Sequence, residues 1–228
     1  MTRIVVLSGA GISAESGLKT FRDNDGLWEN YRIEDVATPT GWYKNKTLVL
    51  DFYNERRKQV LNALPNEAHK ALVRLEDWFE TTIVTQNIDD LHERAGSKKV
   101  LHLHGEILKS RSTVDPNLVY KIEGDKLLEG ERCEKGSQLR PHIVWFGEMV
   151  PALESAATVV SAADIFIVVG TSLAVYPAAG LINYSKGDSE RYYVDPAAEA
   201  LSGFSVIREN AGKGIPKLVD YLIKKFND

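Results

Sequence analysis

Four groups of residues in this chain have the types and spacing to do chemistry. Gly9, Ala10 and Gly11 follow the apolar run 4–7, with Ser13 and Ser16 just beyond. Glycines let a backbone turn tightly against a pyrophosphate, and a helix N-terminus offers unpaired N–H donors and the positive end of a dipole. A strand, a turn and a capped helix with no ligand has the same local pattern, and the third glycine of the usual dinucleotide fingerprint is missing. Gly170, Thr171 and Ser172 repeat the arrangement after Val168 and Val169. They read as donors and hydroxyls for a phosphate or ribose, or as one more capped helix start. Gln86, Asn87, Ile88 and Asp89 follow the strand-like run 82–85. Polar residues just past the C-terminal end of a parallel strand are where open α/β sheets bind ligands. A loop with Asp89 or Asp90 as helix cap reads the same way. His102 and His104 alternate onto one face of the run that ends at Leu103. Imidazole near its ordinary pKa suits proton abstraction at neutral pH, although a strand-end histidine equally serves as a hydrogen-bonded structural residue.

The elements that must position these groups are legible as apolar runs at 4–7, 82–85, 100–103, 143–146, 165–169, 191–194 and 204–207. Helical stretches separate several of them, which predicts an α/β protein with a mostly parallel sheet. Residues 25–75 interrupt the rhythm with helical segments and no clear strand. One helix is predicted over 47–64, with Leu48, Phe52, Val60 and Leu64 facing the core, and a second over 67–79. The rhythm fails again over 109–140. A closing amphipathic helix is predicted over 215–226.

The run Gly9-Ala-Gly-Ile-Ser-Ala-Glu-Ser-Gly-Leu-Lys-Thr-Phe-Arg22 closely resembles the first signature of the sirtuins, NAD-dependent protein deacylases. The run from Thr85 to Gly96 resembles their second signature. His104 directly before Gly105, the segment from Arg140 to Glu148, and Gly170-Thr-Ser-Leu-Ala-Val-Tyr-Pro-Ala178 resemble three more, in the family's order. The resemblance implies a Rossmann-like parallel sheet with a small domain formed by two insertions. The large domain would comprise 1–25, 76–108 and 141–228, and the small one 26–75 and 109–140. It implies that NAD is consumed: the acyl oxygen attacks the nicotinamide ribose as nicotinamide leaves, and the products are free lysine, nicotinamide and O-acyl-ADP-ribose. Carried over residue by residue, His104 is the catalytic histidine, helping remove a ribose hydroxyl proton. Asn87 and Asp89 orient ribose, nicotinamide or water. NAD would be held by Gly9, Ala10, Gly11, Ser13, Phe21, Arg22, Trp28, Gln86, Asn87, Ile88, Asp89, Gly170, Thr171, Ser172, Asp195 and Ala211. The family usually has Asn where Asp195 stands, and an acid there can still accept from ribose hydroxyls. Val144, Phe146 and Gly147 help hold the acyl-lysine, on a backbone edge that suits strand addition by an extended peptide.

Tyr53 and Arg56 are three residues apart on a predicted helix and so share a face. A guanidinium binds a carboxylate bidentately, and a phenol adds a hydrogen bond. Spacing alone equally describes two amphipathic surface side chains. Tyr-x-x-Arg at this place resembles the mark of sirtuins that remove succinyl or malonyl groups, and Ala37 matches the small residue that widens their acyl pocket. The implied partners are acyl-lysine proteins or peptides. A sirtuin-fold ADP-ribosyltransferase is the rival with the same NAD site, and a non-catalytic NAD-binding module is a second. The context of Ser16-Gly17 and Phe21-Arg22 disfavours a dehydrogenase.

Composition sets the remaining bounds. The 228 residues carry a net charge of −4, with 43% hydrophobic and 26% charged residues, ordinary for a soluble domain. That balance argues against nucleic acid or an anionic membrane as partner. Basic clusters such as Arg56-Arg57-Lys58 are expected on a solvated face. The first apolar run is too short for a signal peptide or a membrane span, so a cytoplasmic protein is expected. The family usually carries a zinc ribbon with two Cys-x-x-Cys pairs within 109–140. Here Ser112 and Asp115 fall near the first pair, and Arg132 and Lys135 at the second, or Cys133 if the count slips by one. The one cysteine, Cys133, cannot hold tetrahedral zinc alone, so no metal is expected and the region is read as a shrunken remnant.

Overall fold

The computed structural model describes residues 1–19, 27, 28 and 31–227. The first apolar run is a strand, β1 (Arg3–Ser8), and it feeds a single 3₁₀ stretch (Ala10–Ser16) where a regular helix was expected. Gly17, at φ +87°, ends that stretch in the left-handed region. A two-residue antiparallel pair follows, β2 (Leu27–Trp28) and β3 (Tyr31–Arg32), in a segment expected to be free of strands. Helices α1 (Ile33–Val36), α2 (Pro39–Lys44), α3 (Lys46–Asn62) and α4 (Glu67–Leu75) come next. The last two stop short of the expected 64 and 79. Caps set three starts: Thr38, Asn45 and Asn66 accept from the N–H of Gly41, Leu48 and Ala68.

The chain then forms β4 (Glu80–Thr85), α5 (Leu91–Ala95), β5 (Val100–His102), β6 (Gly105–Ser112), β7 (Val119–Lys121) and β8 (Leu139–Ile143). After these come α6 (Leu153–Ser161), β9 (Ile165–Val169), a 3₁₀ stretch (Ala178–Tyr184), β10 (Glu190–Val194), β11 (Ser205–Ile207) and α7 (Ala211–Asn227). The helix expected to follow the Gly170 turn is therefore absent, and a 3₁₀ stretch begins only at Ala178. No helix among the described residues is long and apolar enough to cross a membrane.

The main sheet is parallel, in the order β11-β10-β9-β1-β4-β5. Its central strands β1 and β9 are buried on both faces, while the edge strands β5 and β11 are only partly covered. Ile4 and Val6 pack with Leu72, Leu75, Leu218 and Leu222 from α4 and α7. Val5 and Leu7 pack with Val160 of α6 and Leu181 on the other side. Successive side chains point to opposite faces, so a continuous apolar run suits such a strand. The chain leaves β1 toward β4 on one side and returns to β9 on the other. That reversal puts a crevice beyond the C-terminal ends of β1 and β9, where Gly9 and Gly170 stand.

A third cluster holds Trp42, Phe52, Tyr53, Ile107, Leu127, Cys133, Leu139 and Trp145, between α3 and a three-stranded antiparallel sheet, β7-β6-β8. Two expectations change here. Residues 144–146 were expected to be a strand, but β8 ends at Ile143. The next N–H groups go to separate partners: Val144 to the His104 carbonyl, Trp145 to the Glu148 carboxylate and Phe146 to the Ala37 carbonyl. No ladder can form from bonds that diverge. The basic cluster expected on a solvated face is also overturned. Arg57 is fully buried and Arg56 nearly so, while Lys58 stays exposed. Arg57 donates to the carbonyls of Ile107 and Asp125 and to Asn54 Oδ1, so its guanidinium ties α3 to β6. Burial lowers its pKa to about 10, which still leaves it charged.

Candidate active site

The two glycine turns meet. Gly9 N–H donates to the Val169 carbonyl at 3.0 Å and Gly11 N–H to the Gly170 carbonyl at 2.8 Å. A Cβ on Gly11 would stand 2.7 Å from Gly170 Cα, and one on Gly9 2.7 Å from Thr171 Cβ. The glycines are thus required by the contact between two loops, a constraint the pattern at either loop alone does not reveal.

The turns form one wall of a cleft of about 540 Å³, within the range of small-molecule sites. Gly9, Ala10, Gly11, Ser13, Gln86, Asn87, Ile88, Asp89, His104, Gly170, Thr171, Ser172, Asp195 and Ala211 line it, as do Ala37, Tyr53, Arg56, Val144, Phe146 and Gly147. Phe21, Arg22 and the side chain of Trp28 lie outside the described residues. Every other residue that the family resemblance assigned to binding or catalysis therefore lines one cleft, whereas His102 stands outside it.

Beyond β4, the polar residues are locked to one another. Asn87 Nδ2 donates to Ser13 Oγ and Ser13 Oγ donates to Asp89 Oδ2, each at 3.1 Å. Asp89 Oδ1 accepts from Leu91 N–H, the first of α5, while Asp90 holds the helix's N-cap position and Asp89 faces the cleft. Burial raises the Asp89 pKa, and its bonds from Leu91 and Ser13 oppose the rise. Gln86 Nε2 reaches Thr171 Oγ1 at 3.2 Å, joining this wall to the second glycine turn. Asp195 accepts from Ala197 N–H and is 3% exposed, so its carboxylate is held by its own turn.

The two histidines at the end of β5 differ in what they leave open. Both ring nitrogens of His102 are taken, Nδ1 by the Asn87 carbonyl and Nε2 by Glu93. Burial lowers its pKa, but the Glu93 bond and charge carry it above the ordinary histidine value. His104 Nδ1 meets the Gln86 carbonyl at 3.0 Å. A carbonyl only accepts, so Nδ1 carries the proton and Nε2 presents a lone pair. Among the described residues nothing occupies that Nε2. Burial lowers the His104 pKa, partly opposed by the Gln86 carbonyl. It is therefore neutral at pH 7 and able to take a proton.

At the other end, Tyr53 is fully buried and Arg56 is 7% exposed, which overturns the surface-helix alternative for this pair. Trp145 Nε1 donates to the Tyr53 hydroxyl at 3.1 Å. Ala37 lies beside them, its carbonyl holding Phe146 N–H.

Spacing gave no sign of the polar layer beneath the site. Ser8 Oγ is hydrogen-bonded to Thr85 Oγ1 and to His92 Nε2, both at 2.9 Å, and Thr85 Oγ1 accepts from Asn87 N–H. His92 packs edge-on against His69, ring centroids 4.9 Å apart, and both are fully buried. Burial, with Arg94 adding to it, lowers the His69 pKa to about 4; burial, with His69 and His102, lowers that of His92 well below the ordinary value. In the unfolded chain both titrate near 6.5. From there down to about pH 4 the unfolded chain binds protons that the folded one refuses, so stability rises with pH across that window. It is complete above about pH 6.5 and is lost as pH falls; His69 alone is worth on the order of 3 kcal/mol. Urea midpoints are therefore expected to drop between pH 7 and pH 5. Unchanged midpoints over that range would show that the pair is not excluded from protonation.

In the segment read as a zinc-ribbon remnant, Cys133 Sγ lies 3.4 Å from Ser112 Oγ and 3.2 Å from Ser137 Oγ, and Asp115 pairs with Lys135 at 2.7 Å. Cys133 and Lys135 thus both face the residues that fall near the first pair, Ser112 and Asp115. The two hydroxyl bonds lower the Cys133 pKa to about 7. One thiol, two hydroxyls and a carboxylate already held by a lysine do not fit the four N/S ligands of structural zinc. Among the described residues no group of three or more His, Cys, Asp or Glu is arranged to hold a metal ion.

The Sir2 family pattern matches residues 9–177. A Helicobacter pylori NAD-dependent protein deacylase is 53% identical over 227 residues, covering 98% of this chain and 99% of that protein. The crystal structure of a Sir2 homologue in complex with NAD superposes with a TM-score of 0.88 at 42% identity, covering 98% of this chain and 90% of that one. A Sir2 variant with a p53 peptide and NAD superposes at 0.76 with 29% identity, covering 98% and 93%. With that extent of agreement across sequence and fold, the chain belongs to the Sir2 family, the sirtuins.

Proposed function

We propose that the protein is an NAD-dependent protein lysine deacylase, and that it takes acyl groups ending in a carboxylate, succinyl and malonyl, as well as acetyl. The observation that carries this reading is the placement, in one cleft, of an open His104 Nε2 and of buried Tyr53 and Arg56. The fit to NAD rests on the cleft volume and on buried polar groups, Ser13, Asn87, Asp89, Thr171 and Asp195, set in otherwise apolar walls.

When bound, NAD supplies a ribose carbon activated by its nicotinamide leaving group. Gly9, Ala10, Gly11, Gly170, Thr171 and Ser172 hold the phosphates and adjoining ribose, while Asp195 and Ala211 border the adenosine end. Asn87 and Asp89, fixed through Ser13, orient the nicotinamide ribose. His104 accepts a ribose hydroxyl proton at Nε2 while its Nδ1–H stays on the Gln86 carbonyl. Val144, Phe146 and Gly147 hold the acyl-lysine stem, and Arg56 and Tyr53 receive the distal carboxylate.

A panel of malonyl-, succinyl- and acetyl-peptides with NAD tests this directly. Nicotinamide release with O-acyl-ADP-ribose formed in equal amount is expected, with the carboxylate-bearing acyl groups favoured. ADP-ribose attached to protein, with the acyl group retained, would assign the chain to ADP-ribosyl transfer instead.

A further inference from the structure

Arg140 is not among the residues that line the cleft, yet the acyl end of the cleft is built on it. Its guanidinium carbon lies 3.3 Å from the centroid of the Trp145 ring. Nη1 and Nη2 grip Glu148 at 2.6 and 2.9 Å, and Nη2 also donates to the Ile143 carbonyl at 2.9 Å. Glu148 in turn accepts from Trp145 N–H at 2.8 Å and from Arg111 at 3.2 Å. The indole is thus held by its backbone and by one face, with Trp42 packed against it as well. Its Nε1–H is what reaches the Tyr53 hydroxyl. Two guanidiniums share one carboxylate here, so the cluster keeps a net positive charge behind the indole.

We propose that Arg140 is a positioning residue for recognition of the acyl carboxylate: by clamping the Trp145 indole it fixes the N–H that the Tyr53 oxygen accepts, and so sets how the phenol meets a carboxylate beside Arg56. The inference rests on the reading of Tyr53 and Arg56 as the carboxylate site. Two features of the chemistry support it. Arg stacks on an aromatic face and binds a carboxylate bidentately at once, which Lys cannot do. Burial also raises the Tyr53 pKa, so at pH 7 the phenol keeps its proton and acts as a donor.

The test compares kcat/KM on a succinyl-peptide and the matching acetyl-peptide for wild type, Arg140→Met, Tyr53→Phe, the double variant and Arg56→Met. Arg140→Met is expected to lose up to roughly tenfold on the succinyl-peptide, mostly through KM, with acetyl activity within about twofold of wild type. In the Tyr53→Phe background the same substitution should add no further selective loss, because residues acting through one contact are not additive. Equal losses on both peptides, or a full additional selective loss in the double variant, would overturn the proposal. If Arg140→Met does not fold, Arg140→Lys keeps the charge and loses the stack and the fork. It should show the same selective loss, and unchanged selectivity would overturn the proposal. A selective loss in Arg56→Met but not in the Arg140 variants sinks this inference alone. No selective loss in Arg56→Met sinks the carboxylate site itself.

Discussion

His104→Ala is expected to lower kcat/KM for NAD-dependent deacylation by about 10²–10⁴-fold, the usual contribution of a positioned general base, while leaving ADP-ribose affinity little changed. The separation follows from the geometry. The phosphates and riboses are assigned to the glycine turns and to the Ser13, Asn87 and Asp89 chain, none of which bonds to the His104 side chain. The histidine's own anchor is the Gln86 carbonyl, which stays in place when the ring is removed. The same geometry predicts the acid limb of the wild-type kcat/KM profile. Neutral imidazole is the active form, and burial moves its pKa below the ordinary 6.5, so activity should persist to more acidic pH than a solvated histidine would allow. A variant turning over near the wild-type rate, with ADP-ribose binding intact, would remove His104 from the proton-transfer role. Isothermal titration with ADP-ribose and a steady-state nicotinamide assay on the same preparation make the two measurements.

Arg56→Met should separate acyl substrates by charge. The guanidinium is nearly fully buried in the wall of the cleft, so a succinyl carboxylate bound there is desolvated with it. Removing one partner of such a pair typically costs about 2–5 kcal/mol, so kcat/KM on a succinyl-peptide should fall by about 30-fold or more. Met retains much of the stem's bulk, and acetyl-lysine has no carboxylate to lose, so acetyl activity should change little. Tyr53→Phe should show a smaller loss of the same sign, about 0.5–1.5 kcal/mol, since one neutral hydrogen bond is removed. Equal losses on the two peptides would indicate damage to the α3 packing rather than to recognition. Wild-type activity on both would assign the buried Arg56 a purely structural role, like that of its neighbour Arg57.

Arg56 and Arg57 show where reading along the chain succeeds and where it stops. Reading along the chain located the strands of the parallel sheet to within a residue or two, because the central strands are covered on both faces and their apolar runs stand out. It also determined which residues converge: the motif groups at Gly9, Gln86, His104 and Gly170 each sit just past the C-terminal end of a strand, and parallel strands bring those ends to one edge. It did not determine what each side chain does on arrival. Arg57 looks like any solvated cation until the Ile107 and Asp125 carbonyls close over it. Residues 144–146 look like a strand until their N–H groups diverge to three partners. Gly9 and Gly11 are explained by Gly170, about 160 residues away in sequence and 2.7 Å away from a Gly11 Cβ. The tautomer of His104, the Ser13 link between Asn87 and Asp89, and the Arg140 clamp on Trp145 likewise depend on partners brought together only by the fold. Apolar periodicity is a local property that each segment carries with it. Hydrogen-bond partnership and the burial of charge are pairwise, and exist only once distant segments are in contact.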